Sequence, residues 1–295
     1  MYLYDNQTIK WKAGDNLFCV HIQSDDSPMN PRKEWGHLST MACWYHNYDL
    51  GDDIGNKDPE EFWRALVDEH VPGDEFAEAV KSGKLYGIRA EKNEAGRYDI
   101  YEHYALRTAA GTSEPDEVLE HTNLVESEFW FYIADDLTIE HCQTLLESYM
   151  EWLPLTMYEH SGITMSCGPR TGQFADRWDS SAVGWIVVSK AKVEKETGPQ
   201  DEDWRKRAIR FMEAEVKTYD QYLTGEVYGY TLYESDIPAE GEDPDWTEIE
   251  SCWGFYGSDI NESGILDCLP NVEVIKAGNY TIGEACKHTV TYYTF

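Results

Sequence analysis

From Thr218 to Ile275 the chain carries fourteen Asp or Glu residues and not one Lys or Arg. With no cation nearby to pair with, these carboxylates read as a solvated acidic face, which any fold of the stretch must keep in water. The rings set among them, Tyr228, Tyr230, Tyr233, Trp246, Trp253, Phe255 and Tyr256, are drawn the other way. The imbalance extends to the whole chain of 295 residues, where 56 acidic against 24 basic side chains leave a net charge of -32. A charge of that size opposes compaction and disfavours unassisted binding to DNA, RNA or an anionic membrane, whereas a positively charged partner is steered in. An acidic face of this kind is either simple solvation or a surface that imitates a phosphate backbone and caps a basic groove.

Composition supplies a core, with 41% hydrophobic and 14% aromatic residues. The stretch Leu155 to Lys190 reads as a central hairpin, two apolar strands (Leu155 to Ser166 and Val183 to Ser189) joined by a loop rich in Gly, Pro, Ser and charge. Leu17 to Gln23 reads as a strand, followed by an Asp-Asp-Ser-Pro-Met-Asn-Pro loop. Asp58 and Pro59 open a helix whose apolar positions Phe62, Trp63, Leu66 and Val67 continue to His70. A second helix spans Asp74 to Ser82 and stops at Gly83. Lys84 to Glu91 and Arg97 to Leu106 are expected strands about an Asn93 to Gly96 turn, with 111–123 a loop or single helical turn.

Glu128 to Ala134 is an apolar run of strand length, and Asp136 to Leu153 a helix halted by Pro154. A long helix begins near Asp201 with acids in its first turn. Its stripe is Ala208, Ile209, Met212, Val216 and Tyr219, with i,i+4 pairs Glu202 with Lys206, Asp203 with Arg207 and Glu213 with Lys217. Val227 to Tyr233 alternates as a strand, Ser235 to Asp245 is a solvated acidic loop, Cys252 to Gly257 returns to the core, and His288 to Phe295 is a terminal strand. The fold class is therefore α+β, with mixed, largely antiparallel sheets and packed helices. A boundary near Gly225 separates a main domain, 1–225, from a smaller acidic, aromatic region, 226–295.

The residue types of a nucleophilic triad occur in His160, Ser161 or Ser180, and Asp179, near Arg170 and Arg177, but without a G-x-S-x-G elbow. Neighbouring side chains on a strand point to opposite faces, so His160 and Ser161 cannot pair there; Ser180 joins His160 and Asp179 only if the loop folds back. His37, Cys43 and His46, or Cys268, Cys286 and His288, contain metal-ligand types at irregular spacings, and packing accounts for them better. No phosphate-binding glycine loop is present, so neither cofactor nor metal is expected. Seven scattered cysteines without a C-x-x-C pair, and the absence of a leader or an apolar run of about 18 residues, point to a reduced, soluble, cytoplasmic protein that does not enter a membrane.

Several segments resemble a family carried by bacteriophages and mobile elements. They are Met157-Tyr158-x-His160-Ser161-Gly162-Ile163-Thr164, Trp178-Asp179-Ser180 with Val183-Gly184 and Val188-Ser189-Lys190, and Tyr219-Asp220-Gln221-Tyr222-Leu223-x-Gly225-x-Val227-Tyr228-Gly229. Cys252-Trp253-Gly254-Phe255-Tyr256-Gly257 and Met41-Ala-Cys43-Trp44 with Tyr48-Asp49-Leu50-Gly51-Asp52 belong to the same pattern. Length and acidity together resemble phage anti-defence proteins that inhibit the Gabija nuclease-helicase system. The resemblance implies a binder in the host bacterial cell that keeps DNA out of the nuclease, without binding nucleic acid itself. The contact residues expected for that role are Tyr228, Tyr230, Glu240, Glu242, Asp243, Asp245, Trp246, Trp253 and Tyr256, aromatic anchors with an acidic rim. A homo-oligomer is compatible with this reading. The alternatives are a small hydrolase or nucleotide-modifying enzyme using His160 and Asp179, and a phage structural or assembly protein.

Overall fold

The computed structural model describes residues 1–104, 107–108, 111–112, 116–176, 178–198 and 203–284. In chain order the first elements are β1 (Gln7–Ala13), β2 (Asn16–Ser24), α1 (Pro31–Glu34), β3 (Thr40–Cys43), α2 (Pro59–His70), α3 (Gly73–Lys81), β4 (Ile88–Lys92) and β5 (Tyr98–Tyr104). The middle of the chain adds β6 (Arg107–Thr108), β7 (Gly111–Thr112), β8 (Asp116–Leu124), α4 (Phe129–Ile133), α5 (Ile139–Leu146), β9 (Met150–Glu159), β10 (Ile163–Cys167) and β11 (Ser180–Ser189). Then follow α6 (Lys190–Thr197), α7 (Trp204–Leu223), β12 (Val227–Asp236), β13 (Thr247–Tyr256), α8 (Ile265–Cys268), α9 (Val272–Lys276) and β14 (Thr281–Glu284). The fold is α+β with antiparallel sheets. No helix among the described residues is long and apolar enough to cross a membrane.

The chain divides into two compact units, one of Met1–His37, Thr156–Ala182 and Glu213–Phe295, the other of Leu38–Leu155 and Val183–Met212. This differs from the expected division into 1–225 and 226–295. The reason is the ladder between β2 and β12, nine residue pairs from Tyr228 with Ser24 to Asp236 with Asn16, which makes the N-terminal hairpin and the acidic C-terminal strands one body.

In the first unit the strand order is β13-β12-β2-β1-β14. Register places Val20 between Ile9 and Leu232, and Ile22 beside Tyr230, so alternate residues of three strands share one face. That face is buried with Ile260, Ile265, Leu266, Leu269 and Ile275 from the segment around α8 and α9. Each such side chain contributes about 1.5–3 kcal/mol on leaving water. Two carboxylates inside this unit have named partners. Glu215 on α7 accepts from the Arg32 guanidinium at 2.8 Å, and that guanidinium is fully buried. Asp220 accepts from the Thr164 hydroxyl at 2.6 Å and the Met165 N–H at 2.7 Å, fastening the end of α7 to β10.

The core of the second unit is built on indoles. Trp63, fully buried on α2, meets Trp152 at 5.4 Å and Trp185 at 5.7 Å edge to face, and Trp44 packs on Phe62 and Trp185 in the same manner. Such pairs add about 0.5–1.5 kcal/mol each beyond area burial. The helix that presents Trp63 starts as its sequence dictates. Asp58 accepts from the Glu61 N–H at 2.8 Å, the Glu61 carboxylate accepts from the Asp58 N–H at 3.1 Å, and Pro59 fills the first position. Arg64 donates to the Leu137 carbonyl at 3.1 Å, joining α2 to the segment before α5. Strands β4, β5 and β8 form a separate three-stranded sheet, and the remaining long strands are ordered β10-β9-β11-β3.

Several expectations give way. The Glu128 to Ala134 run is the short helix α4, and the polar 111–123 stretch contains most of strand β8. The helix expected over Asp136 to Leu153 stops at Leu146, and Pro154 lies inside β9. The first apolar segment of the central hairpin is itself two strands, β9 and β10, turned at Ser161 with φ 61°, so β9 lies between β10 and β11. Pro31 opens α1 under the Asn30 cap where only loop was expected. Of the three helical ion pairs, Glu202 lies outside the described residues, and Lys217 reaches Glu262 at 2.6 Å. Cys252 to Gly257 returns only in part, since Trp253 is half exposed. The expected His288 to Phe295 strand lies outside the described residues.

Two predictions follow from this packing. Gly184 faces the Ala42 carbonyl so closely that a Cβ would lie 1.9 Å from its oxygen. Gly184→Ala should therefore lower unfolding free energy by about 3 kcal/mol in chemical denaturation. Gly162→Ala, where a Cβ meets nothing within 4 Å, should change it by less than about 0.5 kcal/mol. Burial, the largest influence on Asp220, holds its carboxyl above the ordinary value of 3.8. The native state then binds this proton more tightly than the unfolded state, so the contribution of Asp220 is full at low pH and is lost as pH rises through its folded pKa. Asp220→Asn retains an acceptor and removes the titration, so denaturant curves should show a shallower decline of stability with pH above 3.8.

Candidate functional site

The residues with the types of a catalytic triad do meet in part. β9 ends at Glu159, whose N–H donates to the Asp179 carbonyl at 2.8 Å, drawing the start of β11 beside the Ser161 turn. His160 Nδ1 then lies 3.2 Å from Asp179 Oδ2, with the two side chains 67% and 39% exposed. Ser180 does not complete the set: its hydroxyl donates to the Gln173 carbonyl at 2.9 Å. Ser161 occupies the turn, Arg170 is exposed, and Arg177 lies outside the described residues. The His160–Asp179 contact is open to water, where such a pair contributes little to stability.

Thiol chemistry fares no better. Burial pushes the Cys142 thiol up to about 12 and the Cys167 thiol up to about 11, the latter helped by the Glu213 carboxylate. Neither is a nucleophilic thiolate near neutral pH. His37 is engaged by the Pro31 carbonyl at 2.6 Å. Cys286 and His288 lie outside the described residues, and no group of three or more His, Cys, Asp or Glu among the described residues is arranged to hold a metal ion.

The acidic stretch is organised differently. Strand β12 sits between β2 and β13, so Tyr228 and Tyr230, expected at a contact surface, point into the core and are buried. Tyr230 donates to Glu250 at 2.9 Å, and burial together with that carboxylate raises the phenol's pKa. Tyr256 is half-buried, donates to the Met29 carbonyl and meets Trp35 edge to face at 4.9 Å. Trp253 lies half exposed over Gly229, where a Cβ would come within 2.1 Å of the indole, so glycine there is a steric requirement.

Between β12 and β13 the chain exposes Glu240, Glu242, Asp243 and Asp245 and then tucks in Trp246. Glu242, Asp243 and Asp245 converge with Glu234 and Asp236, at the end of β12, on a crevice of about 500 Å³ that has no Lys or Arg in its lining. Asn16 donates to Glu234 at its edge. The same loop also lines a second cavity, of about 460 Å³, through Pro244 and Trp246. There the other walls are Trp11, Phe18 and Tyr280, and the Lys10 ammonium stands 5.5 Å above the Trp246 ring. Sequence reading singled out the loop acids and Trp246, but not the wall from β1, because strands distant in sequence come together only through the ladder.

These thiol environments predict that a disulfide reagent at pH 8 modifies exposed Cys268 first, although partial burial raises that thiol too, with half-buried Cys167 slower and buried Cys142 reacting only on unfolding, as peptide mass spectrometry would reveal. Rapid labelling of Cys142 in the folded protein would contradict the burial described. No family model and no curated protein matches the sequence, and no solved structure matches the fold.

Proposed function

We propose that the chain acts by binding: a phage anti-defence protein whose acidic loop and outer strand β13 occupy the basic DNA-binding groove of a host nuclease-helicase complex of the Gabija type and exclude DNA in the bacterial cytoplasm. The observation that supports this most directly is the convergence of five carboxylates on one crevice without a compensating cation. A concave surface of one sign focuses its field and accelerates encounter with an opposite charge, and it sets specificity through complementarity. Half-exposed Trp253, at the far end of β13, offers apolar contact, and Trp and Tyr are favoured anchors in interfaces. Glu248 and Glu250 along the open edge of β13 also discourage unwanted strand pairing.

The alternative, a hydrolase or nucleotide-modifying enzyme, has one observation on its side, the His160–Asp179 contact at 3.2 Å. The two readings separate in one experiment. Reversing Glu242, Asp243 and Asp245 to Lys should weaken binding to a purified Gabija-type complex at least about ten-fold and flatten its salt dependence, measured by biolayer interferometry. His160→Ala with Asp179→Ala should leave that affinity within about two-fold. If the charge reversal restores no DNA cleavage and the His160, Asp179 double variant abolishes protection, the binding reading is wrong.

A further inference from the structure

The cavity on the β14 side of the first unit has the opposite chemistry to the rest of the surface. β14 stops at Thr281, opposite Lys10, so the edge of β1 from Trp11 onward has no strand beside it among the described residues. The space left, about 460 Å³, lies within the range of roughly 300–1,000 Å³ that suits small ligands. The rings open to it are half-buried Tyr280 and Trp246; Trp11 and Phe18, stacked at 5.4 Å, also line it but are only 3% and 6% exposed. Lys10 and Lys12 also line it, and no Asp or Glu does. In a chain with 56 acidic and 24 basic side chains this is a local inversion of charge. Neither lysine makes an ion pair among the described residues, whereas Arg32, Lys81, Arg205 and Lys217 all do. Lys10 instead rests on the face of Trp246.

We propose that this cavity binds a small planar aromatic anion, its ring held against the aromatic walls and its carboxylate or phosphate group at Lys10 and Lys12. Flat rings pack offset or edge to face against Trp and Tyr, so the walls favour a planar body over a branched aliphatic one. Two ammonium groups with no carboxylate among them repel a cation and give a neutral ring nothing to pair with, while an anion gains charge-assisted hydrogen bonds. The cavity shares Pro244 and Trp246 with the loop proposed above to meet a macromolecule, but none of the crevice carboxylates lines it.

The test titrates the full chain with two anions, indole-3-acetate and adenosine 5′-monophosphate, and with their uncharged counterparts, indole-3-acetamide and adenosine. Binding is followed by isothermal calorimetry and by the intrinsic indole fluorescence. At least one anion should bind saturably at one site, about ten-fold more tightly than its uncharged counterpart. Lys10→Gln with Lys12→Gln should remove that difference, and Trp246→Ala should weaken the anion and its uncharged counterpart alike. Which anion saturates assigns the carboxylate or the phosphate. Circular dichroism checks each variant, and the lysine pair is the decisive one, because Lys12 is exposed and Lys10 half-buried. The proposal is overturned if neither anion saturates, or if the lysine variant binds a saturating anion as tightly as the parent does.

Discussion

The antiparallel ladder between β2 and β12 is the contact on which the rest of the first unit depends. Its register puts Tyr228, Tyr230 and Leu232 on the same face as Val20 and Ile22, and thereby decides which aromatic rings of the acidic stretch become core. The same register carries Glu234 and Asp236 out to the end of the strand beside Phe18 and Asn16, where the loop acids join them. Burial on one face and a concentrated negative field at the strand's end are thus two results of one pairing. The strands come from positions roughly 200 residues apart, yet the entropy of closing so long a loop grows only logarithmically with its length.

How much of this is visible in the residues depends on whether local chemistry or a distant partner decides the structure. The start of α2 is legible because Asp58, Pro59 and Glu61 carry their own instructions, a cap, a fixed φ and a reciprocal hydrogen bond. The Phe129 to Ile133 run is not, since five apolar residues suit a buried strand and a buried helical turn equally. β8 escaped for the opposite reason: an edge strand can be polar along most of its length, and its identity comes from pairing with β5. Pro154 lies in β9 where that strand is twice the length of β10, and no local signal marks a strand that takes a proline. For the candidate site, composition singled out the acidic loop, which is exposed, but assigned the buried Tyr228 and Tyr230 to the surface. Neither charge nor ring count reveals which side of a strand faces inward until its neighbours are known.

A net charge of -32 is a standing load on the folded state, and the structure distributes it. Most of the acids of the 218–275 stretch are on loops and outer strand positions, where water and salt screen them. Two carboxylates drawn inward have donors: Glu215 has Arg32, and Asp220 has Thr164 and Met165. Removing one member of such a pair is far more harmful than the pair is helpful, because the survivor keeps its desolvation penalty. The crevice under the 237–246 loop is the exception, a place where like charges converge and no Lys or Arg among the described residues lines it.

The division of the chain also sets an order of events during synthesis. Residues 38–155 and 183–212 belong to a unit whose sequence lies wholly between the first and last segments of the other. On a ribosome adding residues at about 5–20 per second, the hairpin of β1 and β2 emerges first but waits for β12 until most of the polypeptide has been made. The indole-rich unit has all of its residues available sooner and can condense while the hairpin is still incomplete. The hairpin of β1 and β2, made long before β12, is thus among the last elements to reach its native neighbours.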